Sequence, residues 1–455
     1  MLTGDSQTTE SDSELLEEES SIQHENSELD LKGNKKGLFW SIAIFSMSAQ
    51  NLFAQFFSVY ARKVGVTAKT LGFLTSITNL LTGLFQGSIG RLSDKLGRKF
   101  ILVFGFLLSI VIPIPLIFYH NTVLLIFVSL IQAFSVSVII PTWNAIAGDV
   151  TKPSFRATFI GRIASIGRIV SVAITLTVAG FFALIDSKFN SMIVIGGIGY
   201  TITWEFQYGF SFGFSSFNAL LCLICVLFMK ETHIITEKKN NKIPKMWISL
   251  KDRTFVKFMI INSFFGITMS LIWPLNPIIM TDIMNLDFSQ VALLTSSFAV
   301  FVGFTTIFGG KICDRIGRKP LIILSTAILV LFPVSIIPAI VTGQWLVLLL
   351  SRFVGGVGTG LSIVAMNAYT LDLAPGNLMG AYSGVREMFY GIATFTGSLS
   401  AGFIIDALQF HYNLNTVVIA MAIGVTIVRL LAGSGFLFIT ESLVSKKTSK
   451  INSKQ

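Results

Sequence analysis

Twelve apolar runs, separated by short polar intervals, fill the chain from residue 38 to 438. They fall near 38–60, 70–90, 100–118, 122–147, 158–185, 206–229, 255–280, 288–311, 320–340, 344–370, 380–405 and 414–438. A helix needs about 20 predominantly apolar residues to cross the hydrocarbon layer. In lipid, the helix satisfies its own backbone hydrogen bonds. The pattern predicts an all-α membrane protein of twelve transmembrane helices. The stretch Met192–Tyr200 is apolar and glycine-rich but too short to cross alone. It reads as part of a loop, 186–205, that lies on the membrane or dips into it. A crossing there would invert every later span.

Charge distribution argues against that inversion. One set of alternate loops holds Arg91, Lys95, Arg98 and Lys99, then Lys152 and Arg156, then seven basic residues between Lys230 and Arg253, then Lys311, Arg315, Arg318 and Lys319. The opposite set holds only Arg62, Lys63, Lys69 and Lys188. Basic loops stay in the cytoplasm, so both termini are expected there, in a multi-pass protein of the cell membrane. Residues 1–36 carry ten acids against three lysines and read as a disordered acidic tail. They lack a basic segment followed by an apolar one, so they are no cleaved signal peptide. Residues 230–254 read as a cytoplasmic linker between bundles at 37–229 and 255–440, with a basic tail at 441–455.

Composition agrees with this picture. The chain is 52% hydrophobic and 13% charged, with a mean hydropathy of +0.73, whereas soluble domains carry about 25% charged residues. The net charge of +10 suggests nucleic acid at first sight, but the basic residues are accounted for by one-sided loops. Cys222 and Cys225 form C-x-x-C inside an apolar run, with no second pair and no nearby histidine. They read as small packing residues. No metal, cofactor or disulfide framework is implied.

The chain is also built twice. Leu74–Lys99 aligns without gaps on Leu294–Lys319, with nine identities in 26 positions, among them Gly90/Gly310, Asp94/Asp314, Gly97/Gly317 and Arg98/Arg318. Asn144, Ala145, Asp149 and Pro153 are mirrored by Asn367, Ala368, Asp372 and Pro375. Gln55 in span 1 falls opposite Asn276 in span 7. Parallel halves related by an axis along the membrane normal are a transporter device, with the substrate site between them.

At these residues the sequence resembles the major facilitator superfamily (MFS). The family's loop between spans 2 and 3 reads roughly Gly-x-Leu-x-Asp-[Arg/Lys]-x-Gly-Arg-[Arg/Lys]. Gly90, Leu92, Asp94, Lys95, Gly97, Arg98 and Lys99 match it, and the second copy matches with Ile312 for Leu. The resemblance covers about 38 to 440. It implies two pseudo-symmetric six-helix bundles and a secondary transporter working by alternating access on a small organic solute. It also implies an Arg98–Asp149 latch that holds the inner face closed, with Asp314, Arg318 and Asp372 as the matching set. In that loop, Gly90 is expected to end one helix and allow close approach, and Gly310 is its repeat counterpart. Gly97 and Gly317 are expected to make the turn. Asp94 is expected to accept from a helix N-terminus. The plainer reading is that these residues only set topology.

Ionisable residues at membrane depth mark function by default. Glu387 lies about 10 Å into span 11, counting 1.5 Å per residue. It is a candidate proton-coupling site, and the alternative is a structural ion pair with Arg386 or another arginine. Arg352 in span 10 and Arg168 in span 5 are further coupling candidates, and Arg168 is placed to bind an anion or balance Glu387. Ser129 stands where the family's usual span 4 arginine would fall. Arg162 and Arg429 read as snorkelling. The neutral cavity candidates are Asn51, Gln55, Asn79, Gln132, Asn144 and Asn276. Trp273-Pro274-Leu275-Asn276-Pro277 breaks span 7, as an outer gate or a fixed kink. The glycine pattern of drug/proton antiporters in span 5 is absent, and of the sugar-porter signatures only Glu231-Thr232 remains. Expected partners are the solute, the bilayer and a proton, with the chain acting as a monomer and without nucleic acid. No protease, Ser-His or nucleotide-binding motif is present, so no enzyme or ATP-driven pump is expected. A non-transporting solute receptor of the same fold is the alternative function; its usual long cytoplasmic segment is missing.

Overall fold

Each apolar run folds as a helix. The computed structural model describes residues 34–151, 156–189, 192–195, 198–232, 246–375 and 378–442. The expectations for the acidic tail, most of the linker and the basic tail lie outside these residues. Span 1 is Lys36–Lys63, span 2 Ala68–Leu96, span 3 Arg98–Phe118, span 4 Thr122–Asp149, span 5 Arg156–Phe189 and span 6 Trp204–Phe228. Span 7 is Arg253–Ile283, span 8 Phe288–Ile316, span 9 Arg318–Thr342, span 10 Trp345–Leu373, span 11 Met379–Gln409 and span 12 Leu414–Phe438.

Eleven of these are long and apolar enough to cross a membrane on composition alone. Span 2 is the other, with 29 residues. It carries Thr75, Ser76, Thr78, Asn79, Thr82 and Gln86, and it is packed along span 11. Polar side chains are tolerated at this depth where another helix, not lipid, covers them.

Helix starts follow the local sequence. Asn121 accepts from Leu124 N, Asn413 from Thr416 N, and Asp287 forms a full capping box with Gln290. Span 7 breaks at Leu271–Pro274 and resumes as the short helix Leu275–Ile278 and a π-helical turn, Ile279–Ile283, where the two prolines interrupt the hydrogen-bond ladder.

The repeated decapeptide departs from expectation. It is helix over most of its length, not loop. Span 2 continues through Gly90 to Leu96, and span 8 through Gly310 to Ile316. The turn is a single residue, Gly97 at φ 92° and Gly317 at φ 100°. That conformation is open to glycine and resisted by other residues. At Gly310, the counterpart of Gly90, a side chain would meet nothing within 4 Å.

Segment 186–205 also corrects the all-α expectation in one detail. Met192–Ile195 (β1) and Ile198–Thr201 (β2) form an antiparallel hairpin, with Met192 opposite Thr201. Four residues of strand reach only about 13 Å, so this segment adds no crossing.

We call the end of the helices at Gly97 and Gly317 the repeat end, and the opposite end the far end. The halves meet along a seam between spans 2 and 11. Ala68 faces Gly402, Gly72 faces Ser398, Asn79 faces Gly391 and Gly83 faces Glu387, in one antiparallel register. At each pair, a Cβ on the glycine would run into the facing carbonyl. The seam starts at the far end and follows the helix for about 22 Å.

Further contacts between the halves cluster at the far end. Arg62 pairs with Asp282. Lys63 Nζ donates to Leu286 O at 3.2 Å. The backbone N–H groups of Ala68 and Lys69 donate to Asp406 at 3.0 and 3.1 Å. Ser289 Oγ donates to Ala179 O at 3.0 Å. Phe288, 2% exposed, stacks on Phe56 at 4.7 Å and meets Phe182 and Tyr208 edge-on. Thr75 and Ser398 share a hydrogen bond of 2.9 Å further along the seam.

A bulky residue in this seam should open the far end. In a protein with Cys222, Cys225 and Cys313 replaced by serine and Ser58→Cys as reporter, Gly391→Val should make labelling by an impermeant maleimide from the far side several-fold faster. Unchanged labelling would show that the seam does not close that end.

Candidate functional site

Two chambers of about 410 and 420 Å³ lie between the halves. Both are lined by Asn51, Ala54 and Ser58 of span 1 and by Asn276 and Pro277 of span 7, so they are lobes of one central space. The first lobe adds Gln55, Arg168 and Arg352. The second adds Gln50, Gln132 and Trp273. Cavities of roughly 300–1,000 Å³ suit small organic ligands. The break in span 7 places Asn276 on this space. Its repeat counterpart Gln55 lines the same lobe, so the duplicated amides face one ligand volume from both halves.

Of the neutral candidates, Asn51, Gln55, Gln132 and Asn276 line the space, and Asn79 and Asn144 line neither lobe. Asn79 stands on the seam with its carbonyl against Gly391. Asn144 is exposed.

A third chamber, in the second half, shares Thr359 and Ile363 with the first lobe and carries Arg386, Glu387 and Asn367. Here Glu387 pairs with Arg386, and its side chain is 36% exposed. Arg386 is also anchored to span 10 through Thr370 Oγ1 at 3.0 Å and through Asn367 Oδ1 at 2.6 Å. The three coupling candidates therefore line adjoining chambers, with Glu387 in a local ion pair.

The buried arginines differ in kind. Arg429 does not snorkel. It is fully buried and donates to the carbonyls of Leu329, Thr268 and Met269 at 2.8, 2.9 and 3.3 Å. It holds spans 7, 9 and 12 together. Arg352 is 6% exposed; it donates to Asn276 Oδ1 at 3.3 Å, and its Nε has no partner. The Arg168 stem lies against Gly303 of span 8. The side chain of Arg162 lies outside the described residues.

At the repeat end, Arg98 pairs with Asp149 and donates to Ala145 O at 2.6 Å. Arg318 pairs with Asp372 at 3.0 Å and Asp314 at 2.7 Å. Each Arg–Asp pair ties helices of its own half, span 3 to span 4 and span 9 to span 10. Arg98–Asp149 is the pair the resemblance implied, and Arg318–Asp372 is its match in the second half. The side chain of Asp94 and the surroundings of Gly90 lie outside the described residues. Asp314 accepts from Arg318, not from a helix N-terminus.

The acceptors at those N-termini are Glu231, read from sequence only as a remnant of a sugar-porter signature, and Glu441, which the sequence reading did not single out. Glu231 accepts from Lys99 N at 2.9 Å, and Thr232 donates to Asp149 at 3.3 Å. Glu441 accepts from Arg318 N and Lys319 N at 3.0 and 2.9 Å, and Ser442 donates to Asp372 at 3.2 Å. Each half thus ends on an acid and a hydroxyl that return to its own repeat loop. The repeat of Glu231-Thr232 as Glu441-Ser442, just past spans 6 and 12, was the available signal. A carboxylate on open N–H groups at the positive end of a helix is stabilising. Glu231→Ala and Glu441→Ala should each lower stability by about 1 kcal/mol, the usual cost of losing a helix N-cap, measured by reversible unfolding in mixed micelles. Wild-type stability in both variants would contradict the capping role.

A family model described as Major Facilitator Superfamily matches residues 39–267 and again 258–452. The quinolone resistance protein NorA of Staphylococcus aureus (strain MSSA476) is 22% identical over 371 residues, covering 81% of this chain and 88% of that protein. An uncharacterized MFS-type transporter of Methanocaldococcus jannaschii is 25% identical over 384 residues, covering 82% and 91%. Among solved structures, the nucleoside transporter NupG superposes with a TM-score of 0.65 at 13% identity, covering 88% of this chain and 99% of that one. The xylose transporter XylE from E. coli, in a partially occluded inward-open conformation, superposes with a TM-score of 0.63 at 14% identity, covering 89% and 99%. With its duplicated six-helix halves and a cavity between them, this chain belongs to the Major Facilitator Superfamily of membrane transporters.

Proposed function

We propose that the protein is a secondary active transporter that moves a small organic solute across the cell membrane by alternating access. The observation that carries this reading is a cavity lined from both halves, with the described polar contacts between the halves gathered toward the far end. The central space is lined from both halves. The hydrogen bonds and ion pairs that join the halves between described residues run from the far end along the seam to Thr75–Ser398. Rocking one bundle against the other around a fixed site is the general way such repeats expose a cavity to each face in turn.

Loop charge assigns the repeat end to the cytoplasm. In that orientation this conformation faces inward. Glu387 is the proposed proton site. Its carboxylate is the one partly solvated acid beside the central chambers among the described residues. Protonation would free Arg386 from the pair and weaken the seam at Gly83, whose Cα faces the Glu387 carbonyl. The cargo does not follow from the relatives, whose names span quinolone resistance, nucleosides and xylose.

The test is uptake and efflux by the purified protein in proteoliposomes, against a solute panel, with and without a protonophore. Glu387→Gln should abolish concentrative, proton-driven movement and leave solute counterflow intact. A variant that still concentrates solute as the wild type does would remove Glu387 from coupling. Absence of any solute flux would remove transport itself.

A further inference from the structure

We infer that the central lobe binds an organic anion, its acidic head held between Arg168 of the first half and Arg352 of the second, its apolar body against the facing hydrophobic wall. This rests on the transporter reading for its role and on the cavity alone for its chemistry.

The argument starts from charge balance. Both guanidinium groups line the same lobe, and no carboxylate lines it among the described residues. The nearest candidates are committed elsewhere: Glu387 pairs with Arg386, and Asp282 pairs with Arg62 at the far end. Arg352 reaches only the Asn276 carboxamide. Arg168 makes no hydrogen bond or ion pair with a described residue. An unpaired charge away from bulk water is costly, and inside a membrane protein such residues line a pathway or find a partner. Arg429 shows how this fold treats a structural arginine, with main-chain carbonyls on both terminal nitrogens. Arg168 and Arg352 lack that treatment and open on empty volume.

The remaining lining specifies the rest of the ligand. Gln55 adds an amide with an unbonded buried oxygen. Val59, Met280, Phe298 and Val302 supply an apolar wall. A carboxylate or phosphate accepts several hydrogen bonds from two guanidinium forks, and a hydrocarbon or aromatic body fills the wall. Because the two arginines come from opposite halves, a bound anion bridges the bundles. Occupancy then favours the state in which both arginines reach it.

The experiment uses the full chain in lipid nanodiscs and four isosteric probes: benzoate, phenyl phosphate, benzamide and benzylammonium. Benzoate or phenyl phosphate should bind, with benzamide and benzylammonium at least about tenfold weaker, the scale expected for charge-assisted hydrogen bonds. Arg168→Gln and Arg352→Gln should each weaken the anion at least about tenfold on the same grounds, and Arg352→Lys should recover part of the loss. The wild-type comparison of probes stands even if a variant fails to fold. Equal binding of the neutral or cationic probe, binding of neither anion, or anion binding that survives both glutamine substitutions would overturn the assignment. Proteoliposome flux separates the two readings. An anion that binds but does not cross the bilayer defeats transport and leaves the site standing. Flux of a neutral or cationic solute at wild-type rate in both glutamine variants defeats the anion site and leaves transport standing.

Discussion

Backbone contact between spans 2 and 11 is the constraint on which the conformation depends. Four residues on each helix meet in one register, and glycine supplies the small partner at every meeting. Lipid tails are as apolar as the side chains they would replace, so helices in a membrane associate through close packing and hydrogen bonds. The seam brings Asp406 to the first N–H groups of span 2. With the halves in contact there, Phe288 of the second bundle sits in an aromatic nest of the first. The cavity below is left bounded by both halves.

The membrane's intolerance of unbonded polar groups sorts the remaining charges. Arg429 is bonded to three helix carbonyls and belongs to the architecture. Arg98 and Arg318 sit at helix junctions and join neighbouring spans through Asp149 and Asp372. Glu231 and Glu441 fold back on the following helix starts. Arg168, with no such partner, and Arg352, held only by Asn276, border the central lobe, and the Arg386–Glu387 pair borders the adjoining chamber.

Much of this was legible in the sequence because hydrophobic length and a repeated segment report directly on spanning helices and duplicated halves. The twelve runs lie close to the observed helices, and Gln55 and Asn276 share a lobe as their repeat positions suggested. The errors came where local pattern is silent about tertiary contact. Gly90 looked like a helix end, but span 2 continues through it to Leu96. Asp282, Asp406 and Phe288 were invisible, since a short far-end segment gives no hint of which helix it will meet across the interface. Asn79 and Asn144 carried the same chemistry as Asn51 but line neither lobe.

The central claim is that two rigid bundles exchange closure between the ends. Spin labels at the exposed positions Tyr119 and Phe410 report the far end, and labels at Leu96 and Ile316 report the repeat end. Pulsed electron spin resonance measures both separations in the same lipid nanodiscs, with and without a transported solute and across pH. The account predicts that conditions which lengthen the far-end separation shorten the repeat-end separation. Two distances that stay fixed under every condition, or that lengthen and shorten together, would contradict it.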